Sequence, residues 1–151
     1  MNFLCDHMLG TLAKWLRFLG YDTMYPGPLD DGELKALAER ETRVLLTRDK
    51  QLSGRVSDSL YVDSDDLDAQ FAQVVRAFSL NSESAMSRCS VCNELIEWVP
   101  KERAKGRVPE GVYSRQREFW FCRKCGRFYW QGSHFDAMWA KFREIEAKAQ
   151  S

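Results

Sequence analysis

Apolar residues at positions 8, 9, 12, 15, 16 and 19 recur at three- and four-residue spacing, so residues 8–19 are predicted to form an amphipathic helix that Gly20 ends. A short apolar start at residues 2–5 precedes it as a first strand. Residues 21–25 have strand character, PGPLDDG is a turn, and residues 33–40 regain helical spacing through Leu34, Leu37 and Ala38. Residues 43–47 and 60–62 read as further strands, and residues 67–78 as a helix with Leu67, Phe71, Val74, Val75 and Phe78 on one face. Strands alternating with helices predict an α/β fold with a parallel, doubly wound sheet over residues 1–80.

The polar, small-residue run SLNSESAMS (79–87) reads as a linker. It sets the predicted boundaries: a first domain at 1–80, a linker at 81–87 and a second unit at 88–151. That unit ends in a helix for which Ser133 and Asp136 suit a capping box, with Phe135, Trp139, Phe142 and Ile145 on one face. The chain has 151 residues, 44% of them apolar, which suits one ordinary domain or two small ones. No apolar run approaches the ~18 residues of a membrane span, and the first residues lack the basic start and small-residue cleavage site of a leader. A cytoplasmic protein without a membrane partner is the expectation.

Charge changes this picture. The net is zero, yet residues 1–88 carry 10 Lys and Arg against 14 Asp and Glu, whereas residues 101–127 carry 9 against 3. An acidic domain beside a basic segment suits a protein that processes nucleic acid, with cations for phosphates and carboxylates for a metal. A solvated basic loop would give the same count.

The acids sit at telling positions. Asp6 follows the first apolar run, Asp30 and Asp31 open the second helix, Asp49 ends the run LLTRD, and Asp63, Asp65 and Asp66 follow the fourth strand. In a parallel sheet such strand ends share the edge where ligands bind. Carboxylates converging there repel one another unless a cation intervenes, and Mg²⁺ or Mn²⁺ suits an all-oxygen set. Such an ion prepares water for phosphodiester hydrolysis. The competing reading is that Asp6, Asp30 and Asp49 are helix caps, with Asp30 and Glu33 a capping box. His7, Thr11 and Lys14 share a polar helical face with Arg17 nearby, a set that either steers substrate or is simply solvated.

CSVC and CRKC place Cys89, Cys92, Cys122 and Cys125 in two Cys-x-x-Cys pairs, each followed by a turn residue, Asn93 or Gly126. Four thiolates so paired suit a closed, structural Zn²⁺ site, although the separation of the pairs exceeds the common 15 to 20 residues, so an excursion must lie between them. Cys5 is left over as a small buried residue. Within the excursion, Lys101, Arg103, Lys105, Arg107, Arg115 and Arg117 offer charges for phosphates. Tyr113, Phe119 and Trp120 are either base-stacking rings for single-stranded RNA or the core of a small ribbon.

The runs CDHMLGTLAKWLRFLGYDTMY, DDGELKALAE, LLTRDKQL, RCSVCN and CRKCGRFYWQGSHF together resemble the PIN-like ribonuclease family named after the C-terminal domain of the Mut-seven exonuclease. The resemblance implies a compact PIN-like domain followed by a zinc ribbon, with metal-dependent RNA cleavage as the activity. It places the first acid on Asp6, the helix-start acid on Asp31, the Thr-x-Asp element on Thr47 and Asp49, and a fourth acid on Asp63, with Asp65 as the neighbour that also fits. Larger PIN domains often carry Glu at the second acidic position, so Asp30 or Glu33 are alternatives to Asp31.

The expectation is therefore a ribonuclease in which Asp6, Asp31 and Asp49 hold Mg²⁺ or Mn²⁺ with Asp63 assisting, Thr47 orients a ligand or water, and Lys14 with the ribbon grips single-stranded RNA. The alternative is a non-catalytic RNA- or ribosome-binding adaptor on an inactive scaffold. An RNA-processing or ribosomal partner suits either reading.

Overall fold

The computed structural model describes residues 1–149. Within them, strands β1 (Phe3–Cys5), β2 (Thr23–Met24), β3 (Val44–Thr47) and β4 (Ser59–Tyr61) form a sheet in the order β2-β1-β3-β4, each neighbouring pair parallel. Side chains alternate across it. Phe3, Cys5, Val44 and Leu46 enter one core, and Leu4 and Leu45 enter another on the opposite face. Burial on both faces explains why β1 and β3 read as unbroken apolar runs.

Helices α1 (Gly10–Phe18) and α4 (Leu67–Phe78) cover the first face, and α2 (Asp31–Glu41) and α3 (Lys50–Arg55) cover the second. The expected first helix divides: His7–Leu9 is a 3-10 turn, because the Asp6 side chain accepts from the Met8 N–H and starts the chain turning before α1 proper. α2 begins two residues earlier than its apolar spacing suggests. Asp30 and Glu33 form the reciprocal capping box there, at 2.8 and 3.1 Å.

Residues 79–87 pack closely on the sheet domain. Leu80 and Met86 are buried, the Met86 N–H donates to Phe18 O, and the Asn81 N–H donates to the Tyr21 hydroxyl. Gly20, at φ +101°, lies under this segment, where any β-carbon would collide with the Ser84 backbone.

Beyond it, β5 (Glu97–Val99), β6 (Phe119–Phe121) and β7 (Phe128–Tyr129) form an antiparallel sheet in chain order. The excursion between β5 and β6 is a 3-10 turn, Lys101–Ala104, and a short helix, α5 (Glu110–Arg115). It folds back over Val99 and Phe119, which with Ala104 form a small separate core. The cross-strand row Trp98, Trp120 and Tyr129 lies on the other face. Trp120 and Tyr129 pack against the main core, and Trp98 remains exposed.

The last helix, α6 (Ser133–Ala149), follows the ribbon in sequence but packs on the sheet domain. Its buried Phe135, Met138, Phe142 and Ile145 share one core with α1 and α4. The expected capping box is absent: Ser133 lies inside the helix, and the Asp136 N–H donates to Gly132 O. No helix among the described residues is long and apolar enough to cross a membrane.

Candidate active site and metal centre

The strand order reverses direction at β1. The chain leaves β1 for β2 on one side and returns through α2 to β3 on the other. A crevice forms at such a switch point, beyond the C-terminal ends of the two diverging strands. A cleft of about 470 Å³ lies there, lined by Asp6 after β1, Asp31 of α2, Thr47 at the end of β3, and Asp49. Asp63 is not among its lining residues. It sits on the exposed loop after β4, its N–H donating to Gln73 Oε1.

Asp6 is 5% exposed and heavily hydrogen-bonded. Its Oδ2 accepts from the Thr47 hydroxyl at 2.6 Å and the Arg48 N–H at 2.8 Å, and its Oδ1 accepts from the Met8 N–H at 3.0 Å. The Thr47 hydroxyl accepts in turn from the Asp49 N–H at 3.0 Å, so one buried threonine ties the two acids together. Asp49 caps α3, its Oδ1 accepting from the N–H groups of Gln51 and Leu52. Asp31 ion-pairs with Arg55 at 2.8 Å. Asp6 and Asp49 cap their helices and also line the cleft, while Asp30 and Asp66 act as caps.

The four cysteines of the two pairs converge. Among the described residues they are the one group of three or more His, Cys, Asp or Glu whose ligand atoms all lie within 4.8 Å of one another. Cys89 Sγ lies 3.7 Å from Cys125 Sγ, and Cys92 Sγ lies 3.4 Å from Cys122 Sγ. Sulfurs around one tetrahedral Zn²⁺ at ~2.3 Å stand about 3.8 Å apart, so this spacing fits a single ion. The two turns share one geometry. In the first, Asn93 N–H donates to Cys89 O and Cys89 N–H to Glu94 O; in the second, Gly126 N–H donates to Cys122 O and Cys122 N–H to Arg127 O. Asn93 and Gly126 occupy matching positions at φ +69° and +76°, which their residue types tolerate.

The second Cys pair is electrostatically uneven. Burial pushes Cys122 up to about 12, whereas at Cys125 burial is outweighed by hydrogen bonds from Arg127 and Cys122, which bring it down to about 7. Four sulfurs so placed could hold one divalent cation, which binds cysteine as thiolate.

The first Cys pair is joined to the sheet domain by a residue whose role sequence reasoning misread. Arg17, placed with the steering cations, is buried: its Nε donates to Thr23 O at 2.9 Å and its Nη1 to Ser90 O and Val91 O at 3.0 and 3.2 Å. Asn93 adds a bond from the Thr23 N–H to its Oδ1 and one from its Nδ2 to Asp22 Oδ1. Apolar neighbours at 16 and 19 were the signal that position 17 borders a buried face.

The basic excursion is also tied up in part. Lys101 lies 4.7 Å from the centre of the Tyr113 ring, Arg103 5.0 Å from Phe121, and Arg107 5.4 Å from Phe128. Phe119 is wholly buried and Tyr113 packs against it, so these rings serve the ribbon core. Lys105 is exposed beyond the 3-10 turn, and Arg115 and Arg117 border a shallow hollow beside Trp120. Lys14 lies elsewhere, on a second large cavity between α1, the first Cys pair, β7 and the start of α6.

Searches among curated proteins and among solved structures find no match. A family model does: the Mut7-C RNAse domain matches residues 1–142, from the strand before Asp6 through both Cys pairs and into α6. With a parallel sheet opening on an acidic cleft and a four-cysteine ribbon seated beside it, the chain belongs to the Mut7-C RNAse domain family.

Proposed function

We propose that this protein is a divalent-metal-dependent ribonuclease acting on single-stranded RNA at the cleft between the ends of β1 and β3, with Zn²⁺ held structurally by Cys89, Cys92, Cys122 and Cys125. The observation that carries the proposal is the meeting of Asp6, Asp31, Asp49 and Thr47 at the sheet's switch point in a chain of an RNase family.

The donor set suits Mg²⁺ or Mn²⁺ in kind, since it is all oxygen and opens on a cleft with room for water. The acids stand too far apart to close on one ion by themselves, which fits a hard cation that keeps several waters and takes one or two carboxylates. When bound, that cation supplies an activated water and neutralises charge on the phosphodiester. Thr47 and the Arg48 N–H fix the Asp6 carboxylate in place. Asp49 spends one oxygen on the α3 cap and keeps the other for the cleft. Asp31 is held by an exposed ion pair worth under about 1 kcal/mol, so Arg55 is readily exchanged for another cation.

A second reading, an RNA-binding adaptor without catalysis, draws on that same spacing of the acids and on the full hydrogen-bonding of Asp6. One experiment separates them: cleavage of end-labelled single-stranded RNA by zinc-loaded protein with and without Mn²⁺ or Mg²⁺, beside Asp49→Asn. Asn caps a helix as well as Asp does, so the variant stays folded. Metal-dependent cleavage lost in the variant supports the nuclease. RNA binding with no cleavage by either protein supports the adaptor, and equal cleavage by both refutes the cleft assignment.

A further inference from the structure

The second large cavity, about 460 Å³, differs in character from the acidic cleft. Trp15, Phe18 and Phe135 of the sheet domain give it an apolar floor, and Tyr129 and Trp130 of the ribbon an aromatic wall. Lys14 of α1, His134 of α6 and Arg127, which follows the second Cys pair and also hydrogen-bonds Cys125, line it, and all three are exposed. Thr11, Ser90 and Ser133 add hydroxyls. No Asp or Glu contributes to its lining, in a chain with 22 of them.

From this we infer that the cavity is a nucleotide subsite that takes one unstacked base of single-stranded RNA against the Tyr129 and Trp130 wall, with its phosphate at the Lys14 and Arg127 rim. The inference rests on the nuclease reading for the identity of the polymer. An apolar floor alone would accept many ligands, but an acid-free rim of two cations and an imidazole selects an anion. An anion joined to a flat aromatic group is what a nucleotide presents. The volume lies within the ~300–1,000 Å³ of sites that enclose small organic ligands. A base reaches such a wall only when it is out of a duplex stack, which selects single strands.

Position favours the same ligand. His7 and Met8 line the acidic cleft, while Thr11 and Lys14, one to two turns further along the same helical stretch, line this cavity. The separation along the helix is on the order of 10 Å. One extended strand therefore touches both sites, with a base anchored beside the ribbon and a phosphodiester at the carboxylates. The base contact lies here: Tyr129 packs on the main core with its hydroxyl 2.7 Å from Cys89 Sγ, and Trp130 packs on Phe119, yet both are only half-buried and line the cavity, whereas Phe119 is wholly buried.

The test is binding of a fluorescein-labelled, mixed-sequence single-stranded oligoribonucleotide to the zinc-loaded full chain, without Mg²⁺ or Mn²⁺, followed by anisotropy across a salt series. Lys14→Glu combined with His134→Glu reverses charge at the rim through two exposed side chains. Arg76→Glu combined with Arg143→Glu removes more positive charge from exposed positions on α4 and α6 that line neither the cavity nor the cleft. The rim variant is expected to weaken binding at least about tenfold and to lower the salt slope by about 1, the signature of a lost phosphate contact. The control variant is expected to change affinity less than about threefold. Quenching of tryptophan fluorescence by the bound RNA should persist in the control and be lost from the rim variant.

Equal losses in both variants, no loss in the rim variant, or no RNA binding by the unaltered protein would overturn the inference. Two separate readouts keep this inference apart from the nuclease reading: cleavage with Mn²⁺ by Asp49→Asn tests the cleft, and metal-free binding by the rim variant tests the subsite. If Asp49→Asn still cleaves while the rim variant fails to bind, the cleft assignment falls and the subsite stands.

Discussion

Thr47→Val tests the link between the two acids most directly. Thr47 is fully buried, and its hydroxyl both donates to Asp6 Oδ2 at 2.6 Å and accepts from the Asp49 N–H at 3.0 Å. Valine keeps the shape and removes both bonds. The bond to Asp6 has a charged acceptor and is buried, so its loss costs about 1.5–3 kcal/mol. The Asp49 N–H borders the cleft, where water replaces the lost acceptor, and adds at most about 1 kcal/mol. The sum, roughly 1.5–4 kcal/mol, is read from urea unfolding of the zinc-loaded protein. Thr47→Ser, which keeps the hydroxyl, is expected to recover more than half of it. In the cleavage assay Thr47→Val should lower turnover about 10- to 100-fold, the usual effect of freeing a carboxylate from the group that orients it. A valine variant within about 0.5 kcal/mol of the unaltered protein and equally active would refute the reasoning, since the hydroxyl would then hold nothing that matters.

Three further perturbations follow from the same contacts. Arg17→Met keeps the aliphatic stem but abandons three carbonyls, so it should cost about 3–4 kcal/mol in urea unfolding; a loss below about 1 would mean that the ribbon does not depend on this anchor. Removing the ribbon's ion with a strong chelator should red-shift tryptophan emission while leaving most helical circular dichroism, because α6 packs on the sheet domain; collapse of the helical signal would contradict that packing. At Asp22, burial alone would raise the carboxyl, but hydrogen bonds from Arg43 and Asn93 outweigh it and hold the group below its ordinary value near 3.8. Its contribution is thus fully present above pH 3.8 and lost as pH falls through the lower folded value, so the ~1–2 kcal/mol deficit of Asp22→Asn should persist from pH 7 to 5 and close only below 3.8.

What could be read from sequence was local. The helix at residues 67–78 appears with its expected bounds, because an apolar stripe and the Asp66 cap agree on where it starts. The four-cysteine cluster and its two turn residues were legible because spacing alone constrains them. The cleft acids were legible from their places at strand ends and helix starts, but Asp63 could not be distinguished from them: nothing local says that it stays outside the cleft lining. Periodicity showed that α6 has an apolar face and was silent about its partner, which lies across the chain on α1 and α4. For the same reason Phe119 and Tyr113 remained ambiguous between base stacking and ribbon core. The groove beside Lys14 was invisible, since its walls come from segments separated by over a hundred residues.

The packing of α6 also sets an order of assembly. The ribbon is an excursion between α4 and α6, and its strands and Cys pairs are complete by Tyr129. The sheet domain, made earlier, still lacks Phe135, Met138, Phe142 and Ile145, and one of its apolar faces stays uncovered until they are synthesised. The two Cys pairs thus precede the last piece of the core that they flank, and the groove beside Lys14 exists only once α6 has packed back against α1 and α4.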